Sequence, residues 1–311
     1  MTWPIYISTQ MDDLDNMIDP EIGLFPLNYI YPDWPTRMNN PKAVDLARFR
    51  KTILRNLPSQ DHYLYTGMLE SRPNAEGWQI TADLPAEKAY RRRFRPNAPF
   101  FLDIEFTARL QQESQRDTAI SIIDALREHL GKHYGSPGAR IGFHTLGMDF
   151  VNTYKDFPPA PAEVETIRMR MRYLNRAQDM QGVFEGRAFQ DVVDFWPPFV
   201  FRTSASDQRS RHVINSTVRG CRAAAPKPIL AGWFPYVYGS GRALTAAEIE
   251  HDLWAIKNSG ADGILLLGDF HKDENNMAAG KVFTGDSPEF AQIKKFALNV
   301  NGTAGAPTNG S

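Results

Sequence analysis

The chain has 311 residues, a formal net charge of −1 and 42% hydrophobic residues. That is enough apolar material for one large core and too much for a disordered protein. The balanced charge gives no overall attraction to nucleic acid or an anionic membrane, no stretch reads as a membrane span, and the single cysteine, Cys221, forms neither an internal disulfide nor a cysteine-based zinc site.

No basic stretch followed by a long apolar run opens the chain. The expected compartment is secreted or periplasmic, with a leader outside this sequence, and the alternative is cytoplasmic. The segment 4–8 is short and apolar, and 24–31 (LFPLNYIY) is a fuller strand, broken by Pro32-Asp33-Trp34-Pro35. Leu46, Phe49, Ile53 and Leu57 recur at helical spacing over 41–57, with Pro58 as the stop. A strand follows over 62–69 (HYLYTGML). The polar, proline-bounded stretch 71–99 contains Tyr90-Arg91-Arg92-Arg93-Phe94-Arg95, whose position suits a loop gripping an anionic ligand.

The run 100–106 (FFLDIEF) is the strand on which the chemistry rests. A helix follows, with Ala119, Ile122, Ile123, Leu126 and Leu130 on one face, and then a strand over 140–146 (RIGFHTL). The segment 162–178 is helical and arginine-rich, 192–201 (VVDFWPPFVF) is strand-like but interrupted by Pro197-Pro198, 206–225 is helical, and 228–238 (PILAGWFPYVY) is a strand. Thr245-Ala246-Ala247-Glu248 is a capping box. The helix it opens buries Ile249, Leu253 and Ile256 and closes at Gly260. An apolar strand over 263–270 (GILLLGDF) and a last helix from Ser287-Pro288 to about Asn299 complete the order. The stretch 301–311 reads as a disordered tail or linker start, leaving 1–300 as one domain.

Strands and helices alternate, and several strands are apolar on both faces, which predicts a parallel sheet covered by helices. Seven or eight such units in a chain of this length predict an α/β fold, a TIM-like (β/α) barrel. No glycine-rich phosphate loop follows a strand, so a nucleotide-binding sheet is not expected.

In such barrels chemistry sits at the C-terminal strand ends. Asp103 and Glu105 lie there, on one face of their strand, because side chains alternate. Two acids so close in apolar surroundings repel, so one resists ionising. A protonated carboxyl beside an ionised one is what glycoside hydrolysis requires. The matching positions on other strands are Tyr65, His144, Arg202, Trp233, Tyr236, Tyr238 and Asp269, of which all but Arg202 are expected to bind substrate. Aromatic rings there suit the apolar faces of sugars, with Trp233-Phe234-Pro235-Tyr236 as the expected platform. His144 has no Ser or Cys partner nearby for a nucleophilic triad, and neither a metal nor a cofactor is expected.

These residues resemble the hyaluronidase family of glycoside hydrolases, whose acid motif is Asp-x-Glu at the end of a barrel strand. Asp103-Ile104-Glu105 matches it. Further likeness runs through Phe195 to Phe201, His212 to Ala224, Pro235-Tyr236-Val237-Tyr238, Leu244-Thr245 and Gly260 to Asp269. The resemblance covers roughly 100–106 and 190–270. It implies that Glu105 is the general acid and that Asp103 orients a substrate acetamido group acting as internal nucleophile. Leu267 stands where the family has a tryptophan, and Val200 where it has a tyrosine; in the family those rings wall the N-acetyl pocket.

Three readings follow. The first is an endo-acting glycosidase on a polysaccharide, N-acetylhexosamine-containing or, given the arginine clusters, anionic. The second is a carbohydrate-binding barrel without catalysis, and the third a nucleic-acid binder using the arginines. The sequence favours the first, because a non-catalytic barrel has no reason to keep two repelling acids in an apolar strand. Balanced charge and the lack of a binding motif argue against nucleic acid.

Overall fold

The computed structural model describes residues 2–8, 14–30, 95, 98–103, 120, 123–124, 127, 131, 137–144, 163–175, 187–224, 226–238, 242–267 and 284–302. Within them β1 (Ile5–Ser8), β2 (Leu24–Ile30), β3 (Phe100–Asp103), β4 (Ile141–His144), β5 (Leu230–Trp233) and β6 (Gly263–Leu266) form one parallel sheet, in the order β4-β3-β2-β1-β6-β5. The helices are α1 (Leu14–Met17), α2 (Glu163–Asn175), α3 (Phe189–Val192), α4 (Asp207–Ala224), α5 (Ala246–Asn258) and α6 (Pro288–Asn301). The expected helix between β3 and β4 is represented by helical residues at 120, 123, 124, 127 and 131.

The sheet is closed. Gly142 at one edge bridges Phe195, while at the other edge Ile229 bridges Trp196 and Gly232 bridges Phe199, all in parallel sense. Asp194 N donates to Ile141 O at 2.8 Å, and Val200 N donates to Gly232 O at 3.0 Å. The segment 195–200 therefore joins both edges, completing an α/β barrel as the alternation of elements predicts. It is not the regular strand expected over 192–201. Its first residue, Val192, belongs to α3, and Pro197-Pro198 has no backbone N–H to give to a ladder.

Alternation sorts the apolar residues into two layers. Tyr6, Leu27, Phe101, Phe195, Phe199, Leu265 and Leu267 form the inner cluster. Ile5, Ile7, Phe100, Leu102, Ile141, Phe143, Trp196, Val200 and Trp233 face outward and pack with helix residues such as Ile214, Leu253 and Ile293. The inner rings fit because their neighbours lack side chains. A Cβ on Gly142 would lie 2.1 Å from the Phe195 ring, and one on Gly232 would lie 2.5 Å from Phe199.

The helix starts follow local chemistry. Thr245 Oγ1 accepts from Glu248 N at 3.3 Å while Glu248 Oε2 accepts from Thr245 N at 2.9 Å, the capping box read in the sequence. Ser287 caps α6, with Pro288 in its first turn, and Gly260 after α5 has φ +95°. The last helix runs two residues past the expected Asn299. Asn301 fastens it to the opposite end of the chain, accepting from Trp3 N at 2.7 Å and donating to Trp3 O at 2.8 Å and Ile22 O at 3.0 Å.

Asn28 on β2 secures the entry to β3. Its amide donates to Arg95 O at 2.6 Å and Ala98 O at 3.3 Å, and its carbonyl accepts from Arg95 N at 3.1 Å. The strand that ends at Asp103 is thereby held from below as well as by both neighbouring strands.

Candidate active site

Asp103 is the last described residue of β3 and the register partner of His144, the last described residue of β4, so both stand toward the C-terminal mouth of the sheet. Phe101, two residues before Asp103, belongs to the inner cluster. His144 is fully buried, stacked on Phe199 with ring centroids 3.9 Å apart and 24° between planes. Phe101 meets the same imidazole edge-on at 6.4 Å. Ser8, at the end of β1, is also buried.

From His144 an aromatic ladder climbs out of the barrel. Phe199 stacks on Phe201 at 4.6 Å, Phe201 lies 4.1 Å from Phe234, and Phe201 stacks on Tyr238 at 5.5 Å and 17°. Tyr238 is 39% exposed, whereas Tyr236 and Phe234 are buried. Rings graded from buried to exposed along one wall form a surface suited to the apolar faces of sugars.

The loop carrying Phe201 is anchored by its neighbour. Arg202 is fully buried, and its Nε and Nη2 donate to both oxygens of Asp252 on α5 at 3.0 and 2.7 Å. Nη2 also donates to Asp207 at 2.8 Å, and Ser210 Oγ donates to Asp252 at 2.7 Å. Burial works against the Arg202 charge, but the hydrogen bonds and field of Asp252, then of Asp207, outweigh it and raise its pKa above the usual value. Arg202 O accepts from Tyr238 N at 2.7 Å, so the ion network fixes both the Phe201 and Tyr238 loops. Glu248 lies 3.6 Å from Arg202. Its carboxyl is held down at about 2, chiefly by Arg242, with burial opposing and Thr245 assisting. Arg202, expected at a strand end, thus supports the mouth from the helical side instead of lining it.

Trp233 is placed differently from the sequence expectation. Alternation turns Gly232 inward and Trp233 outward, where the indole Nε1 donates to Asp252 Oδ2 at 3.4 Å in the helix-facing layer. The rings at the mouth are instead Phe199, Phe201, Phe234 and Tyr238. Phe199 and Phe201 were not singled out by sequence reasoning. Their signal is the shared parity of 195, 199 and 201, with Val200 facing the helices. Glu105, Tyr65 and Asp269 lie outside the described residues, as do the arginines at 91–93. Arg95 is described and stands at the N-terminal end of β3, opposite the mouth. It pairs with Asp15 and, with Tyr6, Phe25, Pro99 and Arg140, lines a cavity of about 510 Å³. A residue entering a strand occupies the end away from the chemistry.

Among the described residues no group of three or more His, Cys, Asp or Glu side chains is disposed to hold a metal ion, and no helix is long and apolar enough to cross a membrane.

No family model matches the chain, and no curated protein matches it. Among solved structures it is similar to bee venom hyaluronidase in complex with a hyaluronic acid tetramer, at 14% identity over 96% of each chain and a TM-score of 0.48. A monoclinic form of bee venom hyaluronidase matches at 13% identity over 96% of this chain and 97% of that one, with a TM-score of 0.42. The Bacillus megaterium spore cortex-lytic enzyme SleL matches at 11% identity over 88% of this chain and 73% of that one, with a TM-score of 0.33.

Proposed function

We propose that this protein is a glycoside hydrolase cleaving within a polysaccharide, with Glu105 as general acid and Asp103 as its partner carboxylate. One observation carries the reading. The acid-bearing strand ends at the mouth of a closed barrel, in register with His144 and beside the aromatic ladder. Phe101 belongs to the inner cluster, and strand alternation gives position 103 the same parity, while Glu105, outside the described residues, enters from the sequence reading.

The chemistry follows from two carboxyls in unequal states. The protonated one delivers its proton to the glycosidic oxygen as the bond to the sugar carbon breaks. The ionised one stabilises the positive charge that develops on the sugar, or orients an acetamido group that attacks the same carbon. Aromatic rings hold the sugars without competing for the proton. Tyr238 contributes to substrate binding in this reading, and His144 sets the floor of the site.

Glu105→Gln keeps the shape but has no labile proton to donate. Turnover of the best polysaccharide, read as reducing ends, should fall by about 10²–10⁴-fold while binding persists. Asp103→Asn should also slow turnover. If Asp103 orients an acetamido nucleophile, a de-acetylated polymer is a poor substrate for the natural protein; if it is itself the nucleophile or base, de-acetylation makes no difference. Near-normal turnover by Glu105→Gln would overturn the proposal.

A further inference from the structure

Outside the barrel, α4 and α5 enclose a groove of about 510 Å³. Arg211, Asn215 and Arg219 recur every four residues along one wall, so they share a helix face. His251, Trp254 and Asn258 form the other wall at spacings of three and four. Among the described residues no carboxylate lines the groove. Arg211 Nη2 meets His251 Nε2 at 3.3 Å, and neither Arg211 nor Arg219 has a carboxylate partner among the described residues.

The opposite wall is held in place. His251 Nδ1 lies 3.1 Å from the buried Asp252, so its Nε2 is turned toward Arg211. Trp254 is half-buried and packs edge-on against Phe296, at 5.1 Å and 81°. Eight residue steps of helix set the backbone positions of Arg211 and Arg219 about 12 Å apart along the axis. That span suits two charges on an oligomer better than one small anion. A fixed indole, two amides and two guanidinium groups with no carboxylate partner among the described residues together offer stacking, hydroxyl hydrogen bonding and carboxylate recognition.

The geometry points to a second carbohydrate site here: the α4–α5 groove binds an acidic segment of the polysaccharide. The class of ligand rests on the glycosidase reading above. The groove would hold the polymer on the outer layer while another stretch occupies the mouth, and the charge balance that the arginines at 91–95 were expected to provide would fall to Arg211 and Arg219.

The test titrates three probes into the full chain: an acidic tetrasaccharide of alternating glucuronate and N-acetylglucosamine, its neutral N-acetylglucosamine counterpart, and inorganic phosphate. Binding is followed at the Trp254 indole NMR signal, assigned through Trp254→Phe. The acidic tetrasaccharide should shift that signal, and Arg211→Ser with Arg219→Ser should weaken its binding by about tenfold, the scale of losing charge-assisted contacts. Added salt should weaken it in the natural protein. On long polymer the double variant should raise KM and leave kcat unchanged.

An unshifted Trp254 signal, equal binding by the double variant, or equal response to the neutral sugar would overturn the inference. Phosphate binding as tightly as the tetrasaccharide would also overturn it, leaving a bare oxyanion site. Glu105→Gln separates this outcome from the first proposal. If that variant keeps turnover, the glycosidase reading fails whatever the groove does; if it loses turnover while the groove stays silent, only the groove inference fails.

Discussion

At the scale of the residue, Arg202 and Asp252 decide how the mouth is built. Both side chains are fully buried, and two hydrogen bonds join them. Removing Asp252 leaves Arg202 buried with only the exposed Asp207 and, 3.6 Å away, Glu248 against its charge, so much of that charge goes uncompensated, which costs far more than the pair contributes when intact. Asp252→Ala should lower the unfolding free energy by about 3–5 kcal/mol in urea titrations. Combining it with Arg202→Met should recover a large part of the loss, since the uncompensated charge is gone. Simple addition of the two single costs would contradict this account of the pair.

At the scale of the element, closure depends on residues that make room. Gly142 and Gly232 flank the closing segment from the two edge strands, and the rings of Phe195 and Phe199 fill the space above them. Gly232→Ala places a methyl group against Phe199, which stacks on both His144 and Phe201. Overpacking of this kind costs about 1–3 kcal/mol. The variant should be less stable by that amount in thermal or urea unfolding, and it should bind oligosaccharide less well because the ladder shifts. Phe199→Leu in the same background should restore stability without restoring the stacked surface. A Gly232→Ala protein as stable as the natural one would show that the closing segment is free to move aside.

At the scale of the whole molecule, stability should depend on acid. Glu248 has its carboxyl held at about 2 against an ordinary 4.5 by Arg242 and the Thr245 cap. A carboxylate whose folded pKa is depressed stabilises the fold fully above its unfolded pKa. That contribution is lost as pH falls toward the folded value. The unfolding free energy should therefore decline between about pH 4.5 and 2. Glu248→Gln preserves a capping side chain but removes the charge, so it should flatten the decline over that window. Unfolding curves at several acid pH values check both statements, and an unaltered slope in the variant would assign the acid sensitivity to other carboxylates.

The sequence by itself determined the class of fold and most of the elements. Alternating apolar strands and amphipathic helices carry that information locally. The capping box at Thr245 and Glu248 and the Ser287-Pro288 start stand in the structure as read. The strand begun at Phe100 was legible for the same reason, as an apolar run. Tertiary structure decided the rest. The short segment 4–8 gives little periodic signal in five residues, yet it holds a central strand paired on both sides. Trp233 reads as a sugar platform by composition, but its parity turns it to the helices, and parity depends on where pairing begins. The ladder from His144 through Phe199 and Phe201 to Tyr238 joins three segments far apart in the chain. The α4–α5 groove likewise needs two helices side by side, since each alone presents only scattered polar residues on a solvated face. Local pattern fixes which face of an element is apolar, while only packing brings distant faces into one site.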